Sequence, residues 1–127
     1  MRKAINAVVI QDKKLLIVKK KDKWILPGGK PEGNESDLEC LAREVDEELS
    51  GTKLKNHVSY GEFIGQTPNA GDQLKAIVYL ADIDGELYGV RKGDSVSESA
   101  WVNDFSQYPL SDITQKIVDS LKETGYI

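Results

Sequence analysis

Pro27-Gly28-Gly29-Lys30-Pro31-Glu32-Gly33-Asn34 carries three glycines and two prolines in eight residues, a backbone built to bend. It runs straight into Ser36-Asp37-Leu38-Glu39-Cys40-Leu41-Ala42-Arg43-Glu44-Val45-Asp46-Glu47-Glu48-Leu49-Ser50-Gly51. Ser36 followed by Glu39 is a capping box, and Leu38, Leu41, Ala42, Val45 and Leu49 repeat at helical spacing, so the segment predicts an amphipathic helix that Gly51 ends. A second face of that helix gathers Glu44, Glu47 and Glu48 at i, i+3 and i+4. Three like charges at this spacing repel and weaken the helix, unless protons or a counter-ion relieve them. A hard divalent cation suits the site: it takes carboxylate and carbonyl oxygens and keeps water ligands for a substrate phosphate. Bare glycine backbone beside the acidic face lets amides and carbonyls approach an ion or phosphate closely.

Upstream, Ala4 to Ile10 and Leu15 to Lys20 are β-rich runs flanking Gln-Asp-Lys-Lys, predicting an antiparallel hairpin, and Trp24-Ile25-Leu26 is a short third strand. Downstream, Val58 to Ile64 and Leu74 to Ile83 predict two longer strands, Ala100 to Val102 a short one, and Ser111 to Glu123 a closing helix with Ile113, Ile117, Val118 and Leu121 inward. Strands interleaved with two helices give an α/β sandwich, a mixed sheet with a helix on each face. No repeat or linker divides the chain, so residues 1–127 are expected to form a single domain.

Composition narrows the function. With 17 Lys+Arg against 21 Asp+Glu the net charge is −4, which disfavours duplex nucleic acid as a partner, since that needs a basic face. The longest apolar run, Leu15 to Val18, is far shorter than the ~20 residues a bilayer requires. Met1-Arg2-Lys3 is followed by too few apolar residues for a signal peptide, so a cytoplasmic location without membrane association is expected. One cysteine, Cys40, and one histidine, His57, leave no Cys/His zinc cluster, so any metal must be held by oxygen. An anionic chain that presents carboxylates to an anionic phosphate needs a metal bridge.

Gly29, five residues, Glu35, seven residues, then Arg43-Glu44-Val45-Asp46-Glu47-Glu48 resembles the Nudix box, G-x5-E-x7-R-E-U-x-E-E-x-G-U with U apolar. The match departs only at its end, where Ser50 replaces Gly and Gly51 replaces an aliphatic residue, consistent with a helix exit displaced by one residue. The box covers about a fifth of the chain, and the flanking order of elements is also similar to the Nudix-type α/β/α sandwich. The resemblance implies an Mg²⁺-dependent pyrophosphohydrolase, with Mn²⁺ as a substitute metal, acting on a nucleoside diphosphate linked to another moiety. It further implies Glu44, Glu47 and Glu48 as metal ligands with the Gly28 carbonyl, and Gly29 and Glu35 as supports of the loop, with Arg43 pairing to Glu35. Lys20 and Lys30 are candidate phosphate contacts. The general base is either a box glutamate or an acid before Trp101, where Glu98 and Asp94 are the candidates. Members are often homodimers.

Within this class, a canonical or oxidised nucleoside triphosphate cleaved to monophosphate and pyrophosphate is the leading expectation, with dinucleoside polyphosphates or nucleotide sugars next. A non-catalytic nucleotide sensor is the alternative of another class, and messenger-RNA decapping is disfavoured by the charge. Bland roles are expected elsewhere. Cys40 reads as an inert thiol, Asp82-Ile83-Asp84-Gly85 as a hairpin turn, and Trp24, Tyr60, Phe63, Tyr79 and Trp101 as core aromatics.

Overall fold

A computed structural model of the chain describes residues 2–66, 72–85 and 96–127. Its strands are β1 (Arg2–Val8), β2 (Ile10–Gln11), β3 (Lys14–Lys20), β4 (Lys23–Ile25), β5 (Gly28–Gly29), β6 (Thr52–Gln66), β7 (Gln73–Gly85) and β8 (Val96–Val102), with helices α1 (Asp37–Glu48) and α2 (Asp112–Glu123). They form two four-stranded sheets. One is mixed, in the order β5-β1-β7-β6, with β1 and β7 parallel and the other pairs antiparallel. In the other, β3 carries β2 and β4 and also pairs with β8.

The first run therefore divides where a single strand was expected. Val9 leaves the ladder; β1 joins the mixed sheet, while Ile10 and Gln11 turn back on β3 through Asp12 and Lys13, both at positive φ. Alternation along the strands then feeds two cores. Val8, Leu15 and Ile17 pack with Ile113, Ile117, Val118 and Leu121 of α2. Ile5, Ala7, Leu16 and Val18 pack with Cys40, Leu41, Val45 and Leu49 beside α1. Period-2 strands buried on both faces demand a helix on each, and the result is the α/β/α sandwich with its mixed sheet.

The capping box closes α1 as its sequence predicts: the Ser36 hydroxyl accepts from the Glu39 amide and the Glu39 carboxylate accepts from the Ser36 amide. The buried line runs through Cys40, Leu41, Val45 and Glu48, whereas Ala42, expected inward, faces solvent. At the exit the Thr52 hydroxyl donates to the Leu49 carbonyl at 2.7 Å, and Gly51 takes φ +91°. Strand β6 is longer than its apolar stretch predicts. Its first half, Thr52 to His57, is mostly polar and bulged around Asn56, so alternation does not mark it.

The start of α2 is anchored by β4. Trp24 donates its amide to the Pro109 carbonyl at 2.8 Å and accepts the Ser111 amide at 3.2 Å, and its ring meets Tyr108 edge-on. The Ser111 side chain caps the helix on Thr114. The five aromatics read as core, Trp24, Tyr60, Phe63, Tyr79 and Trp101, belong to the two cores or pack on them, and none lines the cavity described next.

Candidate active site

Alternation on β1 sends Lys3, Ile5 and Ala7 towards α1, where the Lys3 ammonium pairs with Asp37 at 2.7 Å, and Arg2, Ala4 and Asn6 to the opposite side. Those three form part of the wall of a cavity of about 460 Å³. Beside them lies β5, an edge strand of two glycines whose lack of side chains opens the α1 glutamates to the same space. Glu44, Glu47, Glu48 and Arg43 line it with Gly28, Gly29, Lys30 and Lys20. Leu74, Ser111, Ile113 and Thr114 complete the other end.

Each glutamate has a different setting. Glu48 is buried, and its Oε1 accepts the Gly28 amide at 2.8 Å. Glu44 is largely enclosed against Gly29; burial raises its pKa, opposed by the hydrogen bond and charge of Arg43 and by Lys20. Glu47 is the most exposed of the three, with its carboxylate 3.5 Å from the Arg43 guanidinium. Among the described residues no three His, Cys, Asp or Glu side chains are drawn together into a ligand set. The carboxylates share one wall, with Glu44 and Glu47 bridged by the Arg43 Nη1 and Glu48 held by the Gly28 amide.

Arg43 is the hub. Its Nε and Nη2 meet Glu35 at 2.7 and 3.0 Å, its Nη1 meets Glu44 at 2.9 Å, and its Nη2 also donates to the Lys30 carbonyl at 3.2 Å. The fork thus clamps the Gly-rich loop to the helix. Its pKa is raised, first by the bond to Glu35; the Glu35 carboxyl is held low by Arg43 and then by the Glu32 amide.

The glycines are sterically required. Gly28 has φ +142°, and a Cβ there would collide with the Ile5 carbonyl oxygen and the Asn6 backbone, so no side chain is accommodated. Gly29 has ordinary φ, but a Cβ there would stand 2.5 Å from the Glu44 carboxylate. Gly29→Ala is therefore expected to fold while displacing that carboxylate, lowering turnover about tenfold or more; circular dichroism and steady-state rates check both halves.

The other candidates separate. Lys20 and Lys30 reach the cavity. Glu98, on β8, lies 3.5 Å from the Lys19 ammonium and does not line it, and Asp94 is outside the described residues. Cys40 is buried, its thiol pushed up to about 11 chiefly by burial, which suits an inert packing role. The position of Glu48 under β5, and the part of the wall from β7 and α2, had no local sequence signal; the first depends on Gly28 presenting its amide, the second on long-range packing.

Residues 1–116 match the family model of the NUDIX domain. No curated protein matches the sequence. Among solved structures, a MutT NUDIX hydrolase from Burkholderia pseudomallei is 26% identical, with a TM-score of 0.77 over 93% of this chain and 95% of its own. The NUDIX domain of Shewanella oneidensis NrtR, complexed with ADP ribose, is 20% identical, with a TM-score of 0.77 over 98% and 88%. An ADP-ribose pyrophosphatase from Streptococcus suis is 20% identical, with a TM-score of 0.70 over 98% and 91%. With the box glutamates on one cavity wall and the family match spanning nearly the whole sequence, the chain belongs to the Nudix family and is a hydrolase of phosphoric anhydride bonds.

Proposed function

We propose that this protein is an Mg²⁺-dependent pyrophosphohydrolase that converts a nucleoside triphosphate to the monophosphate and pyrophosphate. The observation that carries this is the composition of the cavity wall: Glu44, Glu47 and Glu48 with Lys20 and Lys30 at one end, and Arg2, Leu74, Ile113 and Thr114 at the other. Its volume falls in the range of small-molecule sites. The cavity also has length. Asn6 pairs with Gly28 and Arg2 with Leu74, so the two ends are separated by four residues of β1, about 13 Å, enough to seat phosphates at one and a base at the other.

Glu44, Glu47, Glu48 and the Gly28 carbonyl fit a hard cation, since all are oxygen donors and Gly29 leaves the space a Cβ would fill to the Glu44 carboxylate. Bound there, Mg²⁺ neutralises charge on the phosphates and lowers the pKa of the attacking water. Lys20 and Lys30 add positive charge beside the anhydride. Glu47, the most exposed box glutamate, accepts the proton as the water oxygen bonds to phosphorus; the bridging P–O bond breaks and pyrophosphate leaves. Arg43, which also lines the cavity, orients Glu44 and Glu47. We infer a single domain over residues 1–127, acting on small nucleotides in the cytoplasm; among the described residues no helix is long and apolar enough to cross a membrane.

The two-ended cavity supports a triphosphate, while the neighbours named for ADP-ribose make a nucleotide sugar the second substrate class. Product analysis decides between them. Incubation with Mg²⁺ and nucleoside triphosphates, canonical and oxidised, dinucleoside polyphosphates and nucleotide sugars is expected to release monophosphate plus pyrophosphate from a triphosphate. Cleavage confined to a sugar nucleotide would replace that substrate, and nucleotide binding without product would indicate a sensor.

A further inference from the structure

The part of the cavity wall remote from the glutamates is made of two pieces that the chain brings together from far apart. Leu74 belongs to β7, and Ile113 and Thr114 to the first turn of α2. One clasp joins them. The Asp112 carboxylate accepts the Gln66 amide at 2.9 Å, and the Lys116 ammonium, 3.5 Å from that carboxylate, donates to the Ile64 carbonyl at 3.0 Å. Gly65 lies between them. It pairs with Leu74 across the β6–β7 ladder, and a Cβ on it would stand 2.7 Å from Asp112 Oδ2 and 3.2 Å from the Ile113 Cβ. The end of the hairpin is thus pressed directly against the helix start, with no side chain in between.

We propose that Asp112 is a positioning residue for substrate: by holding the Gln66 amide and the Lys116 ammonium it fixes Leu74 relative to Ile113, and so sets affinity for the end of the nucleotide furthest from the glutamates. This rests on the nucleotide-hydrolase reading above. An acid in the first turn of a helix also complements the helix dipole, and that role alone would touch stability and leave KM unchanged. What distinguishes Asp112 is that its Oδ2, besides facing Lys116 one turn along its own helix, accepts a hydrogen bond from another element at a separation of 46 residues. The glycine opposite it leaves the approach no slack.

The test uses the full chain with dGTP and ADP-ribose as probes, in Mg²⁺ for turnover and in Ca²⁺ for calorimetric binding. Asp112→Ala is expected to raise KM about tenfold with kcat within twofold. Asp112→Asn, which retains an acceptor for the Gln66 amide, should recover most of that loss. Gly65→Ala, whose Cβ would press on both Asp112 and Ile113 without altering any charge, should raise KM as well, which tests the close approach of strand and helix itself. If the parent turns over a probe, and both Asp112→Ala and Gly65→Ala bind and process it within twofold of the parent, the clasp is overturned and the hydrolase reading stands. If the parent binds a probe without cleaving it and Asp112→Ala weakens that binding about tenfold, the clasp stands and the hydrolase reading falls. A drop in melting temperature with KM unchanged would assign Asp112 to helix stability and overturn the proposal.

Discussion

Glu48→Gln is expected to lower turnover on the order of 10²-fold or more with the melting temperature nearly unchanged, and Glu47→Gln to lower it as much. The two fall for different reasons. Glu48 is buried with its Oε1 on the Gly28 amide; a glutamine oxygen can still accept that bond, so the β5 edge keeps its partner while the charge needed by a cation is gone. Glu48→Ala separates the roles. It leaves a buried amide unpaired, a cost of about 1–3 kcal/mol, and so should lose both activity and stability. Glu47 is half-exposed and carries no comparable backbone bond, so Glu47→Gln should leave thermal unfolding alone. Rates with the preferred nucleotide, set beside thermal melts, read all three variants. Unchanged turnover in Glu47→Gln and Glu48→Gln would remove both from the chemistry.

What the sequence made legible was local. The capping box, the helical spacing from Leu41 to Leu49 and the glutamate face all lie within one element, and all appear in α1. The same local arithmetic misplaced Ala42, because which side of a helix is innermost depends on the sheet it meets. It read Ala4 to Ile10 as one strand, because nothing in Val8-Val9-Ile10 reveals that the chain changes sheets there. Arg43 with Glu35 was readable from the box pattern, and the distances bear it out, but the reach of the same guanidinium to the Lys30 carbonyl was not. Glu98 was a candidate general base because it is an acid in the segment before Trp101. Its register opposite Lys19 gives it a partner away from the cavity. Residues such as Asp112 carry no sequence signal at all for a role near substrate, since Gln66 becomes their neighbour only through the docking of α2 on β6.

Arg43→Ala should lower turnover about 10–100-fold, through loss of orientation of the ligand carboxylates and the glycine loop rather than loss of a reacting group. One side chain ties Glu35, Glu44, Glu47 and the Lys30 carbonyl. Arg43→Lys should recover little, because an ammonium cannot grip Glu35 through two nitrogens while also reaching Glu44. The pH dependence of stability gives a second, independent readout. Glu35 is held below its ordinary 4.5 by Arg43, so the pair stabilises the fold above that value and the contribution is lost as pH falls through the lower folded pKa. Glu44 adds in the same direction: burial raises its pKa and Arg43 opposes the rise, so removing Arg43 makes the ionised Glu44 costlier at neutral pH. The difference in melting temperature between parent and Arg43→Ala should therefore be full near pH 7, begin to shrink above 4.5 as Glu44 of the variant takes up its proton, and shrink further below 4.5 through Glu35. A difference that stays constant from neutral to acid pH would show that Arg43 acts by packing its stem, and that the carboxylates it touches draw nothing from its charge.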